Sequence, residues 1–196
     1  MTDKLETIDM LETIALTPTE NLPESFEALE DRDFMRIAAH LARKSYNEGG
    51  CPIGAVIADA ATGRIIGKGH NTLVQENDAT THGETAAIRD AGRVAKLRGK
   101  GPVDFRGAAL YTTLTPCLVC CAQIIHRCQF QRVVIGDATN APSTQKILRG
   151  GGIKHVDILE DAEAVALYKT FMEEKPELHY LDWGGHKKRE EMLGGK

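Results

Sequence analysis

Two short motifs far apart in the chain must meet in space. Ala79-Thr80-Thr81-His82-Gly83-Glu84 reads His-x-Glu, and about thirty residues on Thr115-Pro116-Cys117-Leu118-Val119-Cys120 reads Pro-Cys-x-x-Cys. One imidazole and two thiolates form a half-soft donor set that suits tetrahedral Zn²⁺. A fold that brings His82, Cys117 and Cys120 to one ion leaves its fourth position open, the mark of a catalytic rather than a structural zinc site. Glu84, two residues from the imidazole, can stay off the metal and move protons for the water held there. A structural site needs a fourth ligand, and Cys121, adjacent to Cys120, would have to strain to supply it.

The rest of the composition narrows the setting. The chain has 196 residues, enough for one domain, and 42% of them are apolar, enough for a buried core. The formal net charge of −4 weighs against a dominant electrostatic grip on nucleic acid. The longest apolar runs fall far short of a membrane span, and the acidic N-terminus lacks a signal-peptide core. Five cysteines, three of them within 117–121, suit metal and thiol chemistry in a reducing compartment, so the expected location is the cytoplasm.

Read in order, residues 1–30 form an acidic extension broken by Pro18 and Pro23, with a short helix near 9–14, expected to be a loosely docked arm or a subunit contact. Residues 31–175 form the domain. Phe34, Ile37, Ala38, Leu41, Ala42 and Ser45 recur at helical spacing between Asp31 and Glu48. Residues 52–58 and 64–70 read as a strand hairpin about the Ala60–Gly63 turn. A polar loop leads to a helix from about His82 to Lys96, capped by Thr80 or Thr81. Strand 108–113 delivers the chain to Pro116, and a helix runs from Cys117 to about Arg127. Strand 131–136, a short helix 143–148, strand 153–159 and an Asp161-capped helix to about Glu174 complete the domain. Strand–helix–strand order here predicts a parallel crossover, and the two halves together a mixed sheet with helices on both faces. Residues 176–196 form a tail carrying Tyr180, Asp182, Trp183 and the basic run 186–189.

The spaced motifs are those of zinc deaminases acting on bases. Metal-acidified water attacks a ring carbon bearing an amino group. Glu84 takes the water's proton and passes it to the adjacent ring nitrogen, and ammonia departs, so C–NH₂ becomes C=O. Asn71, at a strand end, reads equally as a turn asparagine or as a ligand for the base. Asp182 with Tyr180 and Trp183 could close over a base, although a solvent-facing tail is the simpler reading from these residues alone. Cys51, Cys121 and Cys128 read as small buried residues, and His40, His126 and His155 as ordinary helix or strand histidines.

Residues 31–183 resemble the cytidine-deaminase-like superfamily, and within it the small fungal-type cytosine deaminases. The likeness rests on Glu48-Gly49-Gly50-Cys51-Pro52-Ile53-Gly54, Gly69-His70-Asn71, the two metal motifs, Leu110–Thr115 and Glu174-Lys175-Pro176. His-Gly-Glu is the form those enzymes use, whereas tRNA adenosine deaminases and guanine deaminases usually carry His-Ala-Glu. The resemblance implies a three-layer α/β/α sandwich around a five-stranded mixed sheet, Zn²⁺ on His82, Cys117 and Cys120, and Glu84 as proton shuttle. It places Asn71, Ile53, Gly54, Gly83, Asp182 and Tyr180 about a nucleobase, implies a homodimer, and makes the C-terminal tail a lid over the site.

Two departures bear on the substrate. Ala141 stands where those enzymes have a phenylalanine wall, and His179 where they have a tryptophan lid, with Trp183 a candidate substitute. The expected substrate is thus cytosine or a related aminopyrimidine such as isocytosine. A purine such as guanine, a triazine, or an adenosine in tRNA is the alternative, and a non-catalytic zinc-stabilised scaffold the alternative of another class.

Overall fold

A computed structural model describes residues 10–26 and 29–182 of the chain. Trp183 and the basic run 186–189 lie outside the described residues. Residues 10–16 are helical (α1), and a single 3₁₀ turn spans Thr19–Asn21. Helix α2 (Asp31–Asn47) begins with a capping box in which Glu30 and Asp33 each accept the other's backbone N–H, and it buries the six residues picked out by spacing. Strands β1 (Gly54–Asp59) and β2 (Ile65–His70) make the antiparallel hairpin. The loop expected after it holds one helical turn, α3 (Leu73–Glu76), because Asn71 Oδ1 accepts from Leu73 N at 3.0 Å.

Helix α4 (Gly83–Leu97) is not capped by Thr80 or Thr81. Both hydroxyls donate to Asp78, at 2.7 Å each, and His82 itself occupies the capping position with extended backbone. Strand β3 (Ala108–Leu114) leads to α5 (Leu118–Gln123), with Cys117 in the capping position. The single helix expected to Arg127 instead widens into a π turn, Ile124–Cys128, closed by Gln129 in the left-handed region (φ 54). Strand β4 (Arg132–Asp137), α6 (Gln145–Gly150), β5 (His155–Ile158), α7 (Ala162–Glu174) and α8 (Pro176–Asp182) follow. Asp161 caps α7 as expected, accepting from Ala164 N at 2.9 Å.

The five strands form one mixed sheet in the order β2-β1-β3-β4-β5. β1 pairs antiparallel with β2 and β3, while β3–β4 and β4–β5 are parallel. Period-two alternation splits the core between two faces. Ala55, Ile57, Leu110, Val133 and Ile135 pack with α4, α5 and α6. Val56, Ala58, Tyr111 and Val134 pack with α2 and α1. The result is the expected three-layer sandwich.

Residues 10–26 and 29–30, the described part of the N-terminal extension, are docked more firmly than expected. Leu11 and Ala15 are fully buried, Arg93 makes a two-pronged ion pair with Glu20, and Glu24 bridges Arg64 and Arg98.

Candidate active site

The C-terminal end of β3 and the beginnings of α4 and α5 converge at one end of the sheet. His82 and Cys117 each sit at a helix cap, and Cys120 lies in the first turn of α5. One donor atom from each of these three residues lies within 4.8 Å of the other two. His82 Nδ1 is 3.5 Å from Cys117 Sγ and 3.7 Å from Cys120 Sγ. Nitrogen and sulfur on a tetrahedral Zn²⁺, at bond lengths of about 2.05 and 2.3 Å, stand about 3.6 Å apart. The two nitrogen–sulfur separations thus match edges of a zinc tetrahedron. Glu84 is buried against this cradle, with Oε2 accepting from Cys120 Sγ at 3.5 Å.

Comparison with known proteins agrees with this geometry. Residues 29–137 match the model of the cytidine and deoxycytidylate deaminase zinc-binding region. The chain belongs to this deaminase family. It is 37% identical over 154 residues to the cytosine deaminase of Candida albicans, covering 79% of this chain and 94% of that one. It is 36% identical over 123 residues to a tRNA-specific adenosine deaminase of Buchnera aphidicola, covering 60% and 75%. A solved tRNA:A34 deaminase superposes with a TM-score of 0.56 at 29% identity, over 69% of this chain and 99% of that one. Guanine deaminase from Nitrosomonas europaea shares the fold, with a TM-score of 0.62 at 20% identity over 78% and 89%. The chain is therefore a zinc-dependent nucleobase deaminase, and the His82–Cys117–Cys120 cradle is the part of it that fits Zn²⁺.

Charge in the deaminase pocket is concentrated around the cradle. Burial raises the Glu84 carboxyl to about 7, and a Cys117 thiolate adds to the shift. That value suits a group that must both take and give a proton near neutrality, and a dication beside it pulls it back down. The neighbouring Cys120 and His82 side chains hold Cys117 well below the ordinary thiol range. Cys120 is pushed up by that same pairing and by burial. Burial disfavours the His82 imidazolium, but Cys117, Asp182 and Glu84 outweigh it and raise the group to about 9. A metal-free cradle thus gathers anions around a proton that Zn²⁺ can replace.

Asp182 is not in a solvent-facing tail. Helix α8 folds back so that its last residue is 7% exposed, with Oδ1 3.7 Å from His82 Nε2 and 2.7 Å from Asn71 Nδ2. Burial raises the Asp182 carboxyl, against the pull of His82 and Asn71. Asn71 is the turn asparagine of one expected reading, and its amide also meets Asp182. Its carbonyl starts α3, and its amide points into the site. Ile53 accepts from Asn71 N at 2.8 Å, and its side chain lies under Gly83, where an added Cβ would come within 3.2 Å of it. Ala141 borders the cluster of Cys51, Ile53, Leu114, Tyr168 and Phe171. His179 bonds Tyr168 Oη through Nδ1 at 3.0 Å, and its ring meets that of Tyr180 at 5.4 Å between centroids.

Two contributors went unread in the sequence. Thr112 is wholly buried and reaches Glu84 Oε1 at 3.3 Å. The alternation of β3 could have found it, since Ala108 and Leu110 face α4 and residue 112 must do the same. Cys51 is buried, as expected, but its thiol meets the Leu178 carbonyl at 3.9 Å, beneath α8. Burial and the Asp182 carboxylate keep it protonated. Nothing in its sequence neighbourhood signals that contact.

Proposed function

We propose that the chain hydrolytically deaminates a free nucleobase, with cytosine or a close aminopyrimidine such as isocytosine as substrate. The observation that carries this reading is the placement of two buried carboxylates on opposite ligands of one cradle. Glu84 lies against Cys120, and Asp182 lies against His82. His82 Nδ1, Cys117 Sγ and Cys120 Sγ would hold the metal. When bound, Zn²⁺ supplies Lewis acidity, lowering the pKa of water at its open position toward neutral. Glu84 accepts the water's proton and delivers it to the ring nitrogen beside the attacked carbon. The same carboxylate then takes the second proton, from the hydroxyl now on that carbon, and gives it to the departing amine. The water oxygen ends as a ring carbonyl and the amino nitrogen as ammonia.

Orientation of the base falls to Asn71 and Asp182. One Nδ2 proton of Asn71 is used on Asp182, and the other is free to donate to a ring carbonyl or nitrogen. Asp182 accepts from the amino edge. Ile53 and the backbone of Gly83 form the floor, and His179 and Tyr180 the rim, with α8 as a lid. The exposed Leu118 and Val119 beside the cradle support a homodimer. Five free cysteines support a cytoplasmic setting, and no helix among the described residues is long and apolar enough to cross a membrane.

Ammonia release over cytosine, isocytosine, guanine, adenine and their nucleosides tests this reading. Turnover of a free aminopyrimidine, lost in Glu84→Gln, is expected. No turnover of any base by zinc-loaded protein overturns it. The likeness to tRNA-specific deaminases supports a second reading, an adenosine within RNA. Salt-dependent tRNA binding with inosine formation, and inert free bases, would decide for it.

A further inference from the structure

The two residues ahead of Cys117 are each held twice. Thr115 N and Thr115 Oγ1 both donate to Asp137 O, at 2.9 and 3.2 Å. Pro116 has no N–H, so hydrogen bonds can fix the next peptide only through its carbonyl. That carbonyl accepts from Thr144 Oγ1 at 2.7 Å and from Cys121 Sγ at 3.6 Å, which uses both of its lone pairs.

Thr144 is buried and occupies the capping position of α6. A threonine there ordinarily accepts from an N–H of the helix that it begins. No such bond forms; the hydroxyl reaches across to Pro116, 28 residues earlier. The peptide it grips is the one that leads directly into the ligand Cys117. Cys120 is fixed within the first turn of α5, and His82 has Asp182 at its far nitrogen. Cys117 is the capping residue of α5, with extended backbone (φ −68, ψ 172) and its carbonyl accepting from Cys121 N at 2.8 Å, so the Pro116–Cys117 peptide is the hold on it from the upstream side.

We propose that Thr144 is a positioning residue for the metal, setting the Cys117 thiolate through the Pro116 carbonyl. The inference rests on the metal centre described above and not on the identity of the base. Loss of a group that orients a ligand weakens metal binding about 10–100-fold.

The test compares wild type, Thr144→Val and Thr144→Ser by Zn²⁺ competition with a chromophoric chelator and by the visible bands of the Co²⁺-loaded protein. Urea unfolding of chelator-stripped samples runs alongside. Thr144→Val is expected to lose about 10–100-fold in Zn²⁺ affinity and to shift the Co²⁺ bands. The stripped protein should unfold near the wild-type midpoint, and Thr144→Ser should restore both metal readouts. Unchanged Zn²⁺ affinity and Co²⁺ bands in Thr144→Val overturn the proposal alone. So does a loss of affinity matched by an equal loss of stability in the stripped protein, since Thr144 would then be a general structural residue. A wild type that takes up no Zn²⁺ overturns the metal centre and this inference with it.

Discussion

Asn71 Nδ2 donates to Asp182 Oδ1 at 2.7 Å, joining a strand end to the last turn of α8 across 111 residues. Both side chains are buried, so neither has water to replace the other. A hydrogen bond to a buried carboxylate is worth about 1.5–3 kcal/mol. The coupling in a urea double-mutant cycle of Asn71→Ala and Asp182→Ala should fall in that range. Single effects that add to within about 0.5 kcal/mol would mean the two side chains do not act together.

Glu84 carries the proton traffic in the proposed reaction. Glu84→Gln keeps its size and its contact with Thr112 but cannot take up a proton. The variant should retain Zn²⁺ one to one by elemental analysis and lose about 10²–10⁴-fold in kcat. Zinc retained with kcat near wild type would remove Glu84 from the mechanism.

The metal centre was legible because its chemistry is local. His82, Glu84, Cys117 and Cys120 sit in two short motifs, and each motif opens a helix. Helical spacing and the strand–helix–strand order likewise pointed to a mixed sheet with helices on both faces. The position of Asp182 was not legible from its neighbours, because it comes from α8 folding back onto α7 and Asn71. Only the resemblance placed it. Thr144 was hidden for a similar reason: it falls inside a short helix by sequence, and its hydroxyl bonds a peptide 28 residues earlier. The misread cap of α4 has a local cause. Thr80 and Thr81 had Asp78 within reach, and its carboxylate took both hydroxyls.

Metal removal should destabilise the fold, because the cradle ties α4 to α5 and gathers anions when empty. Any ligand that binds only the native state adds RT ln(1 + [L]/Kd), about 2.7 kcal/mol at a hundredfold excess over Kd. Thermal unfolding should shift down on chelation and return with Zn²⁺, and the shift should disappear in Cys120→Ser. A melting temperature indifferent to chelator and to added Zn²⁺ would contradict this.

Arg132 grips Asp31 with two bonds, at 2.8 and 2.7 Å, and Asp157 with a third at 2.6 Å, pinning the start of α2 to the two parallel strands. Burial raises the Asp31 carboxyl, but hydrogen bonds from Arg132 and Tyr111 outweigh it and leave it below its ordinary value of 3.8. A depressed folded-state value stabilises above the unfolded value and is lost as pH falls through the folded one. Arg132→Met should therefore cost about 1–2 kcal/mol at pH 7, discounted for partial exposure. The gap to wild type, followed by urea unfolding, should narrow as pH drops below about 4. A gap independent of pH would assign the loss to packing.

Gly54 opens β1 where α2 crosses closest to the sheet. A Cβ there would overlap the Ala38 carbonyl oxygen and lie 2.7 Å from Ala42 N. Both obstacles are helix backbone and cannot rotate away as a side chain would. Gly54→Ala must push α2 off the strand or bend β1. Gly54 N also donates to Thr113 Oγ1 at 3.0 Å, so a displaced β1 disturbs β3 just ahead of the metal-binding turn. Overpacking of this kind costs about 1–3 kcal/mol. The urea midpoint should fall accordingly, and Zn²⁺ affinity should fall with it, because Ile53, adjacent to Gly54, packs under Gly83 beside the ligand His82. A variant with unchanged midpoint would mean that α2 has room to move, and that its contact with β1 does not set the height of the pocket floor.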